Sequence, residues 1–162
     1  MSGTVVWLTG LPASGKSTLA ERIRARLRRP AIVLDSDEMR LAFEAESYAA
    51  GDRDRFYRLL ANVAAVLARQ DLVVLVAATA PRRSHREHAR AVAPKFVELW
   101  VRASVAEAAA RDVKGLYARA RAGEITLLPG AGVHYEEPSS PEIIAEGGLD
   151  EAAVVAVQNR VE

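Results

Sequence analysis

The stretch GLPASGKST, Gly10 to Thr18, follows an apolar run and precedes a long Ala/Leu/Arg-rich segment. It satisfies G-x-x-x-x-G-K-[ST] between a buried strand and a helix, the context a phosphate-gripping loop requires. The glycines let the backbone curl so that its N–H groups point inward around phosphate oxygens. A helix beginning near Gly15 adds the positive end of its dipole. Lys16 then reaches the β- and γ-phosphates, Ser17 is placed to ligate Mg²⁺, and Thr18 assists on the α-phosphate side. Gly10, Leu11, Pro12, Ala13, Ser14, Gly15, Lys16, Ser17 and Thr18 are therefore the expected grip on Mg-ATP. A Gly-rich turn that merely joins strand to helix is the plain alternative; pattern and context together favour the nucleotide.

The remaining pattern supplies the matching fold. Apolar runs the length of buried strands occur at Thr4–Leu8, Ala31–Leu34, Leu72–Ala77 and Phe96–Val101. Between them Lys16–Arg28 aligns Leu19, Ile23 and Leu27 on one helical face, and Asp54–Arg69 aligns Leu59, Val63, Val66 and Leu67. Ser84–Val92 and Val105–Arg111 read as shorter helices. Alternating strands and helices predict an α/β fold of the P-loop NTPase kind. It has a parallel twisted sheet of about five strands, helices on both faces and a C-terminal lid. After Arg111, KGLYARARAG is helical, but Glu124 to Pro141 is broken by Pro129, Gly130, Gly132, Pro138 and Pro141, as in a functional lid. An apolar pair at Ile143–Ile144 and a final helix capped by Asp150 complete the chain.

Composition narrows the function. The 162 residues fit one domain, 1–162, with the lid at about 114–138. A formal net charge of +1 gives no global field for nucleic acid. Lysine occurs only at 16, 95 and 114 in a chain whose other cations are arginine, which singles out Lys16 and Lys114. Without cysteine there is no disulfide framework, thiolate metal site or cysteine nucleophile, and a reducing compartment, the cytoplasm, is expected. The N-terminus has no basic region, and its apolar run is far shorter than the ~20 residues of a membrane span.

Ligands of parallel α/β sheets sit beyond the carboxyl ends of the strands, where the second strand ends in LDSDEMR. A kinase needs a carboxylate there to accept the acceptor hydroxyl's proton or to hold magnesium. Asp37 is expected in that role with Lys16, and as a magnesium contact beside Ser17. Asp35 reads as structural or as a support to the groups that touch the ligands, and Arg40, one turn on, as a binder of an anionic acceptor. Asp37 as the cap of the following helix is the bland alternative, and capping would not exclude catalysis.

Taken with GDRDRFYR, TAPRRSHREHAR, RDVKGLYARARAGEI and HYEEPSSPE, these motifs make the chain resemble the adenylylsulfate kinases over nearly its whole length. Those enzymes phosphorylate the 3′-hydroxyl of adenosine 5′-phosphosulfate with Mg-ATP. The resemblance implies that Arg111, with Asp112, lies by the adenine of ATP, and that 114–138 closes over both nucleotides. It also implies that Arg40 and Arg53 bind the acceptor, that Lys114 lies near its anionic end and that Tyr48 stacks on its base, where the family has phenylalanine. Family members often dimerise, which extends here to a possible homodimer.

The chain also departs from that pattern. Ser36 replaces the middle glycine of Asp-Gly-Asp-x-x-Arg, Phe56 a substrate-binding asparagine, and Ala80 a serine. Leu128 and Pro129 replace the first two residues of the lid's Phe-Thr-Gly. Phe56 and Leu128 are thus expected to face the acceptor. Three readings stand: adenylylsulfate phosphorylation; phosphorylation of another small anionic, nucleotide-linked hydroxyl compound; and a nucleotide-binding regulatory protein without transfer chemistry. Arg82, Arg83, Arg86 and Arg90 form a basic strip that either attracts nucleotides or is a solvated face. His85 and His88 lack zinc-helix spacing and read as surface residues. Tyr135 reads as a lid anchor, and Glu136 is not expected to be the base.

Overall fold

The computed structural model describes residues 2–112 and 114–162; Met1 and Val113, inside the expected 1–162 domain, lie outside the described residues. In chain order the first elements are β1 (Thr4–Thr9), α1 (Lys16–Arg26), β2 (Ala31–Asp35), α2 (Ser36–Ala42), α3 (Ala50–Ala68), β3 (Val73–Ala77) and α4 (Arg83–Val92). There follow β4 (Phe96–Val101), α5 (Val105–Ala110), α6 (Leu116–Arg121), β5 (Leu128–Pro129), β6 (Gly132–Val133), β7 (Ile143–Ala145) and α7 (Glu151–Val161). The main sheet has the order β2-β3-β1-β4-β7 and every pairing in it is parallel. The apolar pair at 143–144 thus becomes an edge strand, one residue longer than its sequence signal.

Alternation along β1 divides the core in two. Val6 and Leu8 enter a cluster with Leu19 and Ile23 of α1 and Val154 and Val157 of α7. Val5 and Trp7 enter the opposite cluster with Phe56, Leu60 and Ala64 of α3 and Ala89 of α4. A strand buried on both faces reads as a continuous apolar run, which is why TVVWL is visible as a strand but its two faces are not.

The α3 helix departs from expectation. It starts at Ala50, a turn earlier than Asp54, and Leu59 and Val66 are exposed. Its buried face is Phe56, Tyr57, Leu60, Ala61, Ala64, Ala65 and Ala68. The alanines let helix backbone approach the sheet closely, a preference that ranking residues by hydrophobicity does not detect. No described helix is long and apolar enough to cross a membrane.

The basic strip divides: Arg82, Arg83 and Arg90 are exposed, as on a solvated face, and Arg86 is not. Arg86 is buried, and its Nε donates to Glu98 Oε2 of β4 at 2.9 Å. Its Nη1 and Nη2 donate to the carbonyls of Ala80 (2.5 Å) and Glu136 (2.6 Å). Arg90 pairs with Glu142, so Arg86 and Arg90 tether α4 to the sheet and the 136–142 stretch. His85 is buried too, not a surface residue. Its Nδ1 accepts from Arg82 N, so the Nε2–H donates to Asp54 Oδ1 at 2.6 Å. Burial pushes its pKa down against the pull of Asp54.

Because Arg86→Ala would leave Glu98 buried and unpaired, it is expected to cost about 3–5 kcal/mol in urea unfolding. Arg86→Ala combined with Glu98→Gln is expected to be less destabilised than Arg86→Ala alone.

Candidate active site

The carboxyl ends of β1, β2 and β3 open into a cavity of about 790 Å³, roofed by α6 and the stretch 124–129. Six cations line it (Lys16, Arg40, Arg53, Arg111, Lys114, Arg119) against four carboxylates (Asp35, Asp37, Asp112, Glu124). In a chain of net charge +1 this concentrates the positive charge where anions would bind.

The loop between β1 and α1 forms one wall. Gly15 is the N-cap of α1 at φ +104, and a Cβ there would lie 2.5 Å from Gly148 N, so both conformation and space demand glycine. Gly148 is equally confined by Gly15 and Thr18. The turn between β7 and α7 therefore buttresses the loop from behind, a contact signalled in sequence only by the glycine pair of EGGLD. Ala13 is held at φ +64, a conformation that costs a non-glycine residue energy. Ser14 Oγ is buried without a hydrogen-bond partner. Pro12, Ala13, Gly15, Lys16, Ser17 and Thr18 face the cavity, and Leu11 packs away into a cluster with Ala108, Tyr117 and Leu128.

Lys16 folds back on its own loop, with Nζ donating to the carbonyls of Gly10 (2.9 Å) and Leu11 (2.8 Å). Burial pushes its pKa down to about 7, against the attraction of Asp35 and with help from Lys114. Arg111 donates to Ser14 O at 3.3 Å and lies beside Gly147. A P-loop donor set is thus present: a helix N-terminus, a buried lysine, a hydroxyl and a neighbouring guanidinium.

The carboxylates divide differently from expectation. Asp35, not Asp37, meets Ser17: the Ser17 hydroxyl donates to Asp35 Oδ2. Asp35 Oδ1 also accepts from Asp37 N at 3.0 Å, so Asp35 is the cap of α2. Asp37 is freed from capping and forms an ion pair with Lys114 across the cavity mouth. Asp35, expected as structural or as a support, thus touches both Ser17 and the start of α2 from the last residue of β2.

Opposite the loop, Arg40 and Arg53 are both buried. Arg53 Nη2 donates to Leu127 O at 2.6 Å. Arg40 Nη1 donates to the carbonyls of Ala45 (3.1 Å) and Ser47 (3.3 Å), and its guanidinium carbon lies 3.8 Å from the Tyr48 ring centroid. Tyr48 is half exposed and lines the cavity, as does Leu128. Phe56 corrects an expectation: it is 1% exposed and does not line the cavity. The helical phase that turns Arg53 toward the cavity places Phe56 beneath Arg40, edge-on to Phe43 and Tyr57.

The segment 114–138 is tethered at both ends. Tyr117 donates to Pro12 O at 2.9 Å, and Tyr135 Oη lies 2.8 Å from Thr9 Oγ1. Burial pushes both phenols up to about 12. Glu136 N donates to Pro81 O at 2.7 Å.

Fold and site together define an ATP-dependent P-loop phosphotransferase. The model of the adenylylsulphate kinase family matches residues 2–146, and the chain belongs to that family. An adenylyl-sulfate kinase of Paraburkholderia xenovorans is 41% identical over 149 residues, 89% of this chain and 83% of that protein. A probable bifunctional SAT/APS kinase 2 of Sorangium cellulosum is 41% identical over 154 residues, 93% of this chain. This chain spans only 26% of that relative's length. The APS kinase of Mycobacterium tuberculosis, solved in complex with AMPPNP and APS, superposes with a TM-score of 0.90 at 36% identity, covering 96% of each chain.

Phosphates beside Lys16 would raise its pKa from about 7, so ATP binding at pH 8 is expected to take up a proton. Apparent affinity then falls as pH rises above about 7. Titration calorimetry in two buffers of different ionisation enthalpy measures the uptake, and Lys16→Met is expected to abolish it.

Proposed function

We propose that the chain transfers the γ-phosphoryl group of Mg-ATP to the 3′-hydroxyl of adenosine 5′-phosphosulfate, a reaction of sulfate assimilation. The observation that carries this reading is the single cavity face on which the β1–α1 loop, Asp35, Asp37, Arg40, Arg53 and Lys114 converge. The family membership supplies the acceptor.

In this reading the backbone from Gly10 to Thr18 and Lys16 hold the β- and γ-phosphates, and Arg111 lies against the ATP adenine. Magnesium, when bound, neutralises phosphate charge; Ser17 with Asp35 would hold it, since a hydroxyl and a carboxylate are the oxygen donors it prefers. Asp37, exposed at the start of α2 and not engaged in capping, accepts the proton of the attacking hydroxyl. Lys16 and the loop amides stabilise the charge that develops on the phosphoryl oxygens. Arg40, Arg53 and Lys114 receive the acceptor's anionic groups and Tyr48 its base. The segment 114–138 acts as the lid, excluding water that would otherwise hydrolyse the γ-phosphate.

Two acceptor-side cations already have a partner that an anion could replace. Lys114 would exchange Asp37, and Arg53 would exchange Leu127 O, for the acceptor. The exchange releases the Asp37 carboxylate when the acceptor arrives, which couples acceptor binding to readiness of the base.

The lid wall favours a second acceptor class as well. Ile125, Leu127 and Leu128 face the cavity there, with no aromatic ring from this segment to complete a base sandwich. Coupled ADP-release assays with adenosine 5′-phosphosulfate and a panel of nucleotide diphosphate conjugates separate the two. Absence of turnover with adenosine 5′-phosphosulfate alone would overturn it as the acceptor.

Asp37→Asn is expected to lower kcat by about 10²–10⁴-fold, with ATP affinity in equilibrium titration unchanged. Loss of ATP affinity without a kcat effect would reassign Asp37.

A further inference from the structure

We infer that Phe56 is a positioning residue for acceptor recognition, acting through Arg40 by holding its guanidinium against an aromatic face. This rests on the reading of Arg40 as the acceptor's anion partner. The contrast with Arg86 carries the inference. Both arginines are buried, 8% and 2% exposed, but Arg86 is neutralised by Glu98. Among the described residues no carboxylate pairs with Arg40. In place of a counter-ion, its guanidinium carbon lies 4.1 Å from the Phe56 centroid and 3.8 Å from the Tyr48 centroid.

Buried cations are ordinarily paired because desolvation without compensation is costly. Two ring faces present their negative quadrupoles to the cation and supply part of that compensation without quenching it. Nη1 is engaged by the carbonyls of Ala45 and Ser47, whereas Nη2 is buried and has no hydrogen-bond partner. The result is a guanidinium fixed in plane and direction, with a charge that no carboxylate neutralises, on a residue that lines the cavity. That is a site for an anion. Tyr48 is half exposed and belongs to the cavity surface; Phe56 is the ring that the fold immobilises, through its edge contacts with Phe43 at 6.0 Å and Tyr57 at 5.2 Å. An aliphatic or amide side chain at position 56 would offer the guanidinium no such face.

The test separates a π-face from mere bulk. Phenylalanine carrying one, two and three ring fluorines, incorporated at position 56 of the full chain, keeps the shape while progressively weakening the quadrupole. The KM for adenosine 5′-phosphosulfate is expected to rise stepwise along that series. In Phe56→Leu it should rise about 5- to 30-fold, the range a desolvated cation–π contact supports. The KM for ATP and kcat at saturating acceptor stay within about twofold, because Arg40 lies outside the ATP grip. In an Arg40→Ala background the same changes at 56 are expected to have no further effect on acceptor kcat/KM.

A KM that does not respond to fluorination, equal effects on both substrates, or an undiminished effect in the Arg40→Ala background would overturn the role of Phe56. Arginine side-chain NMR of the ligand-free protein, with the Arg40 signal assigned through Arg40→Lys, gives a readout that needs no acceptor. Phe56→Leu should move that signal and leave Arg111 in place, and an unmoved Arg40 signal refutes the positioning. Failure of the unmodified chain to turn over adenosine 5′-phosphosulfate would overturn the acceptor reading alone; the Arg40 signal then decides on Phe56.

Discussion

The position of β1 between β3 and β4 is the constraint from which the site follows. With parallel neighbours on both sides, every backbone group of this strand is directed within the sheet, and its side chains are buried on alternating faces. The chain can leave only at the carboxyl end, in the middle of the sheet, where β2 and β3 also end. The loop that follows therefore forms beside Asp35 and below the segment 124–129. It needs the αL conformation at Gly15 to enter α1, and the turn at Gly148 presses on it from behind.

The buried cations show how the molecule distinguishes structure from binding. Arg86 is matched by a carboxylate and two carbonyls and ties the sheet to the 136–142 stretch. Lys16, Arg40 and Arg53 are instead held by carbonyls or ring faces. A carbonyl stabilises a cation without cancelling its charge, so these three keep an attraction for anions that Arg86 has lost. The same distinction runs through the proposed lid. Its ends are tied by buried tyrosine hydroxyls, at Pro12 and Thr9. Its middle is held by Arg53 at Leu127, and its first residue, Lys114, by an exposed pair with Asp37 at the cavity mouth, a contact that solvent and ligand can replace at little cost.

Much of this was legible in the residues themselves. Four strands, the helices between them and the nucleotide loop follow from apolar run length and glycine placement, properties local in sequence. The fifth strand was visible only as an apolar pair, because an edge strand of three residues carries too little pattern. The buried face of α3 was misjudged because alanine contributes closeness of packing more than apolar area. On the site side, Asp37, Arg40, Tyr48, Arg53 and Lys114 were brought to one cavity as their motifs implied. Asp35, expected as structural or as a support, reaches Ser17, and Phe56, expected to face the acceptor, is buried.

What the sequence determined by itself was the phosphate loop, the alternating α/β plan and the family, since each is written in short spacings whose geometry the backbone enforces locally. The tertiary structure alone decided which carboxylate meets Ser17, which arginine keeps its charge, and that Phe56 lies under Arg40. Those depend on helical phase and on contacts between segments distant in the chain. A shift of one residue along α2 or α3 rotates a side chain by about 100°, so motif spacing brings these residues to the cavity without fixing which of them faces it.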